Sequence, residues 1–308
     1  MVLMASPFVH VPVLLDEIVD LARSLPAGAV ADLTLGGAGH GSAILEAAPQ
    51  LSLHGFDRDE TAVRVAKERL EPFGERAQVH HERFDSAPAI LDELGATPLS
   101  GFLMDLGVSS PQLDWADRGF SFRLEGPLDM RMDARGNKTA ATIVNDYPRG
   151  ELIDVLRSYG DERHAPRIVD AIIAARPVTT TTELADIVLS AVPAAVRRKS
   201  NTHPATKTFQ ALRIEVNDEL TVLGSTLDEL IARLAVGGTG LVLTYHSGED
   251  RIVKDRMRQA IEGSAPAGLS VSTGFRWEFR GARKPADSET EANPRSRSAR
   301  LRAITRGA

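Results

Sequence analysis

The 308-residue chain contains no cysteine. That excludes thiolate catalysis, cysteine zinc sites, iron–sulfur clusters and a disulfide scaffold, and it fits a reducing compartment. Aromatic residues make up only 5%, too few for an extended platform on which bases stack. No apolar run approaches the roughly 18 residues of a membrane span. The first basic residue is Arg23, so the start lacks the charged region of a signal peptide. The chain reads as cytoplasmic. Its eight histidines form no H-x-x-x-H pair, and His80 and His81 would face opposite sides of a strand, so no metal site is expected. Hydrophobic residues at 43% and charged residues at 25% match an ordinary globular protein. The length suggests two domains, or one large domain with an insertion.

From Val11 to about Leu106 helical and strand patterns alternate. Leu14, Ile18, Leu21 and Leu25 have helical spacing, broken at Pro26 and Gly28. Strands are predicted at Val30 to Leu35, Leu51 to Asp57, Ala77 to His81 and Gly101 to Leu106. Helices are predicted at Ser42 to Ala48 and Glu60 to Leu70. This alternation implies a parallel sheet covered on both faces. After Gly107 it stops. A Gly-, Asp- and Arg-rich stretch from Arg118 to Thr139 leads into helical patterns only, up to Val216. Thr180 and Glu183 have capping-box spacing, and Pro204 sits where a helix can start. Leu220 to Leu234 reads as a helix and Gly240 to His246 as a fifth strand. Leu269 to Thr273 and Ser298 to Ile304 are candidates for two more. The stretch from Gly281 to Pro294 is polar and reads as loop. The predicted organisation is an α/β domain of residues 1–107 and 217–308, interrupted by a helical insertion at 108–216.

Three segments end predicted strands with groups that can do chemistry. Asp32-Leu33-Thr34-Leu35-Gly36-Gly37-Ala38-Gly39-His40-Gly41 passes from strand to helix. Its glycines let a ligand approach the backbone, and the helix start offers unpaired N–H groups. Asp57 ends the next strand, where a carboxylate can accept both hydroxyls of a ribose. The spacing is G-x-G-x-G rather than the G-x-G-x-x-G of dinucleotide sites. That favours a nucleoside cofactor without a pyrophosphate, such as S-adenosylmethionine, over an NAD-dependent oxidoreductase. An ordinary glycine-rich turn is the alternative. In the second segment Asp105 ends a strand and is followed by Gly107, Ser109 and Ser110. It can hold the cofactor or accept a hydrogen bond from a substrate amine. The third runs from Thr244 through Tyr245, His246, Ser247, Gly248, Glu249 and Asp250 to Arg251. His246 is a proton acceptor, Tyr245 a stacking face and Arg251 a phosphate contact. The same residues read equally as a helix start with Ser247 as N-cap.

Charge is uneven. Residues 194–214 carry Arg197, Arg198, Lys199, Lys207 and Arg213 and no acid. Residues 295–308 carry Arg295, Arg297, Arg300, Arg302 and Arg306 and no acid. Two basic islands in a chain of net charge −6 are the footprint expected of a polyanion partner. A solvated surface is the alternative.

Taken together these segments resemble the RsmH/MraW family of bacterial methyltransferases that act on N(4) of a decoding-region cytosine in 16S ribosomal RNA. The likeness runs from His10 to Arg302. Its blocks are HVPVLL at 10–15, DLGVSSPQL at 105–113, RGFSFR at 118–123, GPLDMRMD at 126–133, TTTTELA at 179–185, HPAT at 203–206, FQALRIEVNDEL at 209–220, HSGEDRIVK at 246–254 and NPRSRSARLR at 293–302. The resemblance implies a class I, Rossmann-like methyltransferase sheet with an inserted helical domain for RNA recognition. It implies S-adenosylmethionine as methyl donor and 16S rRNA, within the small ribosomal subunit, as partner. The family's cofactor contacts fall on Ala38, Gly39, His40, Asp57, Phe84, Asp105 and Gln112, with Phe84 against the adenine. The family commonly has glycine at Ala38, serine at Gly41, phenylalanine at Tyr245 and leucine at Gly248. Asp105 and His246 are the candidate catalytic groups. Arg197, Arg198, Lys199, Lys207, Tyr245, Arg251, Arg295 and Arg297 are the candidate RNA contacts. A catalytically weak ribosome-assembly factor on the same fold is the non-enzyme alternative.

Overall fold

The computed structural model describes residues 12–198, 202–263 and 273–307. It divides into two compact units, one running to Gly107 and resuming at Leu220, the other spanning Val108–Glu219. No helix among the described residues is long and apolar enough to cross a membrane.

Among the described residues the first unit is built on seven strands: β1 Gly28–Asp32, β2 Leu51–Phe56, β3 Ala77–His80, β4 Leu99–Asp105, β5 Leu234–Thr244, β6 Phe275–Trp277 and β7 Arg300–Arg306. Their order is β3-β2-β1-β4-β5-β7-β6. Strands β1 to β5 are parallel, whereas β7 runs antiparallel to both β5 and β6. This is a Rossmann-like α/β sheet with an antiparallel edge. The strands are apolar because both faces are covered. Val30, Leu53, Leu103 and Leu241 pack with Ile18, Ile44 and Ala66 of three helices on one face. Ala31, Phe102, Met104 and Val242 pack with Leu91, Leu227 and Val253 of three others on the opposite face. Each such side chain contributes about 1.5–3 kcal/mol by leaving water.

Several boundaries differ from the sequence reading. The first strand ends at Asp32, because Leu33 to Ala38 turn over the strand ends and the next helix begins already at Gly39. The fifth strand reaches back to Leu234. A register shift lets Leu99 pair Leu234 while Gly101 pairs Thr239, which absorbs the Val236-Gly237-Gly238 segment, with Gly237 at φ 81°. The strand expected at Leu269 to Thr273 falls mostly on residues outside those described, and the sheet edge is β6 instead. The polar stretch before Pro294 contains a short helix, Asp287–Ala292.

The second unit is helical. Six helices, Ala140–Asp146, Arg149–Gly160, Ala165–Ala175, Thr181–Ala191, Ala194–Arg197 and Ala205–Asn217, follow a short one at Ser110–Asp114. Their apolar faces share one core that includes Ile143, Leu156, Ile168, Val188 and Leu212. Thr180 caps its helix by accepting from Glu183 N, and the Glu183 carboxylate reaches back to accept from the backbone of Thr179 and Thr180.

The last residue of β1 is an acid that the fold encloses: Asp32 is 2% exposed. Burial pushes its carboxyl up to about 7, helped by the charges of Asp105 and Asp57 and opposed by the Thr34 amide. Unfolded, it titrates near ~3.9. Between these values the folded chain holds a proton that the unfolded chain has released, so this group lowers stability as pH rises from about 4 to about 7. Asp32→Asn lacks that loss. In denaturant unfolding at pH 4 and pH 8, the variant should gain on wild type between the two, by up to about 4 kcal/mol. A difference independent of pH would show that Asp32 does not titrate in this window.

Candidate cofactor and substrate site

The carboxyl ends of β1, β2, β4 and β5 meet where the strand order reverses between β1 and β4. Ligands of open α/β sheets bind at such a crevice. The glycine-rich loop is tied down on both sides. Leu35 N donates to Phe56 O at 3.0 Å and Gly36 N to the Asp57 carboxylate at 2.8 Å. Ala38, the N-cap of the helix Gly39–Ala47, has φ 58° and ψ 33° and is fully buried. Alanine in this left-handed region costs about 1–2 kcal/mol relative to glycine. A Cβ on Gly39 would fall 2.7 Å from Pro12 Cγ, so this backbone has no room for a side chain.

Asp57 closes β2. Its Oδ2 accepts from Gly36 N and its Oδ1 from Asp59 N, both at 2.8 Å. Burial raises its pKa, against the pull of those two amides. Each oxygen keeps a second lone pair, the acceptor capacity that a pair of ribose hydroxyls requires. Phe84 begins a short turn of helix after β3 and is buried in the apolar layer.

Asp105 closes β4. The Tyr245 hydroxyl donates to its Oδ1 at 2.7 Å, and His40 Nδ1 lies 3.7 Å from its Oδ2. His40 is buried, with Nε2 2.9 Å from Val13 O. A carbonyl only accepts, so Nε2 carries the hydrogen. His40 thereby ties Val13 to the start of the helix Gly39–Ala47, with its Nδ1 beside the acid at the end of β4. Asp32, Asp57 and Asp105 end three neighbouring strands, an arrangement complementary to a cationic ligand. Sequence reasoning left Asp32 without a role. The signal was an acid closing an apolar strand just before the glycines.

His246 is placed differently from the expectation. It, not Ser247, is the N-cap of the helix Ser247–Glu262. Its Nδ1 accepts from Gly248 N at 3.2 Å and Glu249 N at 3.4 Å. The Nε2 faces Glu249 Oε1 at 3.0 Å without hydrogen-bond geometry. Glu249 Oε2 completes the capping box by accepting from His246 N and Tyr245 N. With its lone pair given to the helix cap, His246 has no nitrogen ready to take a proton from a substrate. Tyr245, expected as a stacking face, packs against the apolar layer and gives its hydroxyl to Asp105.

The basic islands are only partly solvent-facing. Arg302 is buried and pairs with Asp250 through Nε at 2.8 Å and Nη2 at 3.1 Å, and Arg300 joins the same carboxylate at 3.2 Å. Arg306 donates to Leu234 O. Arg251, Arg295 and Arg297 are exposed. In the second unit Arg213 forms a two-point pair with Glu219, and Lys207 donates to Asp161 O at 2.8 Å. Arg197 and Arg198 are exposed and line a surface hollow with Leu189, Thr202, His203 and Pro204. Lys199 lies outside the described residues. Gln112 belongs to this second unit, buried, its side-chain oxygen accepting from Ser109 N at 3.0 Å.

The GPLDMRMD block uses its polar groups on itself. Asp129 and Arg131 pair at 2.7 Å and 2.8 Å. Asn217 accepts from Met132 N and donates to Met130 O, holding Met130 at φ 61°. A Cβ on Gly126 would run into Ala116 O. The block is first of all a device for folding the second unit.

The profile of the MraW methylase family matches residues 7–307. Ribosomal RNA small subunit methyltransferase H of Thermobifida fusca is 50% identical, the match covering 96% of this chain and 93% of that protein. The protein of the same name from Cutibacterium acnes is 46% identical over 98% and 93%, and that of Citrifermentans bemidjiense 45% identical over 96% and 98%. A match of this extent takes in both units, the glycine loop and all three strand-end acids, and the chain belongs to the MraW methylase family.

Proposed function

We propose that the protein is an S-adenosylmethionine-dependent methyltransferase acting on N(4) of a cytosine in 16S rRNA, with the small ribosomal subunit as substrate and the cytoplasm as its compartment. The observation that carries this reading is the convergence of the glycine loop, Asp57 and Asp105 on one crevice, in a chain matched by the family over nearly its whole length. The residues fit the methyl donor. A Cβ on Gly36 would meet nothing nearer than Thr34 O at 3.9 Å, which leaves room for a ligand there, Asp57 has acceptors for a ribose, and the strand-end acids Asp57 and Asp105 complement a sulfonium and an ammonium group.

S-adenosylmethionine supplies an electrophilic methyl group. What remains for the protein is positioning. The lone pair of a cytosine amine is delocalised into the ring, so the N–H must be held and the nitrogen aimed in line. Asp105 is the acceptor at the strand end that can hold it. The amine becomes acidic once methylated, so a carboxylate suffices to receive its proton. His246, with Nδ1 in the helix cap, supports the loop instead. The base must be unpaired or flipped to reach this depth. Exposed Arg197 and Arg198 hold the RNA backbone.

Asp57→Ala should weaken S-adenosylmethionine binding by about 1.5–3 kcal/mol, the range for lost charged hydrogen bonds. Calorimetry showing unchanged affinity would remove Asp57 from the ribose role.

Reversing Arg197, Arg198 and Lys199 to Glu should weaken binding to small subunits and steepen no part of the cofactor isotherm. The wild-type complex should lose affinity sharply with salt. Equal binding by variant and wild type at low salt would reduce this island to a solvated surface.

Asp105→Asn should lower turnover at saturating cofactor by about 10²-fold or more, as for a positioned proton acceptor. His246→Ala should instead cost about 1 kcal/mol of stability, the size of a lost helix cap, with a much smaller change in turnover. Methyl incorporation into purified small subunits, alongside denaturant melts, separates the two. The assignment fails if the histidine variant loses the greater turnover.

A further inference from the structure

The hydroxyl of Tyr245, just after β5, is the atom that touches Asp105, at the end of β4. We propose that the Tyr245 hydroxyl is a positioning group: it fixes one oxygen of the Asp105 carboxylate, so that the other is presented to the exocyclic amine of the substrate. The inference rests on the reading of Asp105 as the amine acceptor.

The geometry supports each part. A carboxylate at the end of a single Cβ–Cγ bond rotates in a broad well, and one strong hydrogen bond narrows it. The Tyr245 O–H supplies that bond to Oδ1 at 2.7 Å. The tyrosine is itself held. Its backbone N donates to Glu249 Oε2 at 2.8 Å, its ring packs against the apolar layer, and its Cδ2 lies 3.5 Å from where a Cβ on Gly107 would stand. That distance is ordinary van der Waals contact, and what Gly107 answers to is its backbone, at φ 106°. Oδ2 points the other way, 3.7 Å from His40 Nδ1, beyond hydrogen-bond length. That oxygen is the one with acceptor capacity to spare. Burial, then the charge and hydrogen bond of Asp105, then Glu249 and Glu289, keep the phenol well above its ordinary pKa, so it remains a donor throughout the neutral range.

The role is one of placement, because a phenylalanine keeps the ring and loses only the oxygen. Tyr245→Phe should fold normally, bind S-adenosylmethionine within about twofold of wild type by calorimetry, and turn over at saturating cofactor about tenfold to a hundredfold more slowly, the effect of one hydrogen bond to a charged group. In an Asp105→Asn background, measured by single turnover on purified small subunits, the same change should add less than about twofold, because the hydroxyl acts through the carboxylate. Wild-type turnover in Tyr245→Phe would overturn the inference. So would a loss confined to cofactor affinity, or an equal further loss in the Asp105→Asn background. A wild-type protein that transfers no methyl group removes the underlying reading and the inference with it, a result visible before any variant is compared.

Discussion

The pairing of β1 with both β2 and β4 is the constraint on which the site depends. Asp32 lies opposite Gly55 on one side and Leu103 on the other. The chain leaves β1 and β4 in opposite directions, so their carboxyl ends flank an open crevice. The same register brings Asp32, Asp57 and Asp105 to one edge. Like charges this close cannot all be ionised cheaply in a buried setting. The fold resolves the conflict by unequal environments. Asp57 takes two backbone amides, Asp105 takes a phenol, and Asp32, with one amide and no exposure, keeps its proton up to about 7. The crevice is thus rich in acceptors and short of positive charge, the condition that suits a cationic ligand.

What was legible in the sequence follows from range. Buried parallel strands are continuous apolar runs, so β2, β3 and β4 could be bounded to within two residues from pattern alone. The strand-end position of Asp57 and Asp105 followed from the same runs. Boundaries set by backbone pairing were not visible. The backward reach of β5 depends on a register shift against β4, and no local pattern marks it. The Tyr245–Asp105 bond joins residues 140 positions apart. The sequence shows an acid and a phenol, and only the β4–β5 pairing makes them neighbours. His246 was misread for a related reason. A histidine beside Glu249 looks like chemistry, while its use as a helix cap depends on the backbone turn at its own Cα.

The basic islands show how charge counts mislead when the partner is distant in sequence. Residues 295–308 contain no acid, yet Asp250 on a helix after β5 neutralises Arg302 and meets Arg300. The pairing holds that helix to β7, and Arg302 is too deep to meet a polyanion. Exposure is narrower than the count implies: Arg295 and Arg297 are exposed in one island, Arg197 and Arg198 in the other.

The same separation of roles runs through two charged segments of the chain. GPLDMRMD looks like a charged active-site loop, but its acid and arginine pair with each other and Asn217 clamps its backbone. HSGEDR looks like a proton relay, but its histidine and glutamate cap a helix. In both, polar residues satisfy buried or strained backbone, which makes them costly to change without any contact to substrate. Asp105 is the contrast. It closes a strand, yet Tyr245 takes only one of its oxygens, and the other lies 3.7 Å from His40 Nδ1, beyond a hydrogen bond. A candidate functional group is recognised here by the hydrogen-bonding capacity its neighbours leave unused, and by that measure the carboxylate at the end of β4 is the one to test.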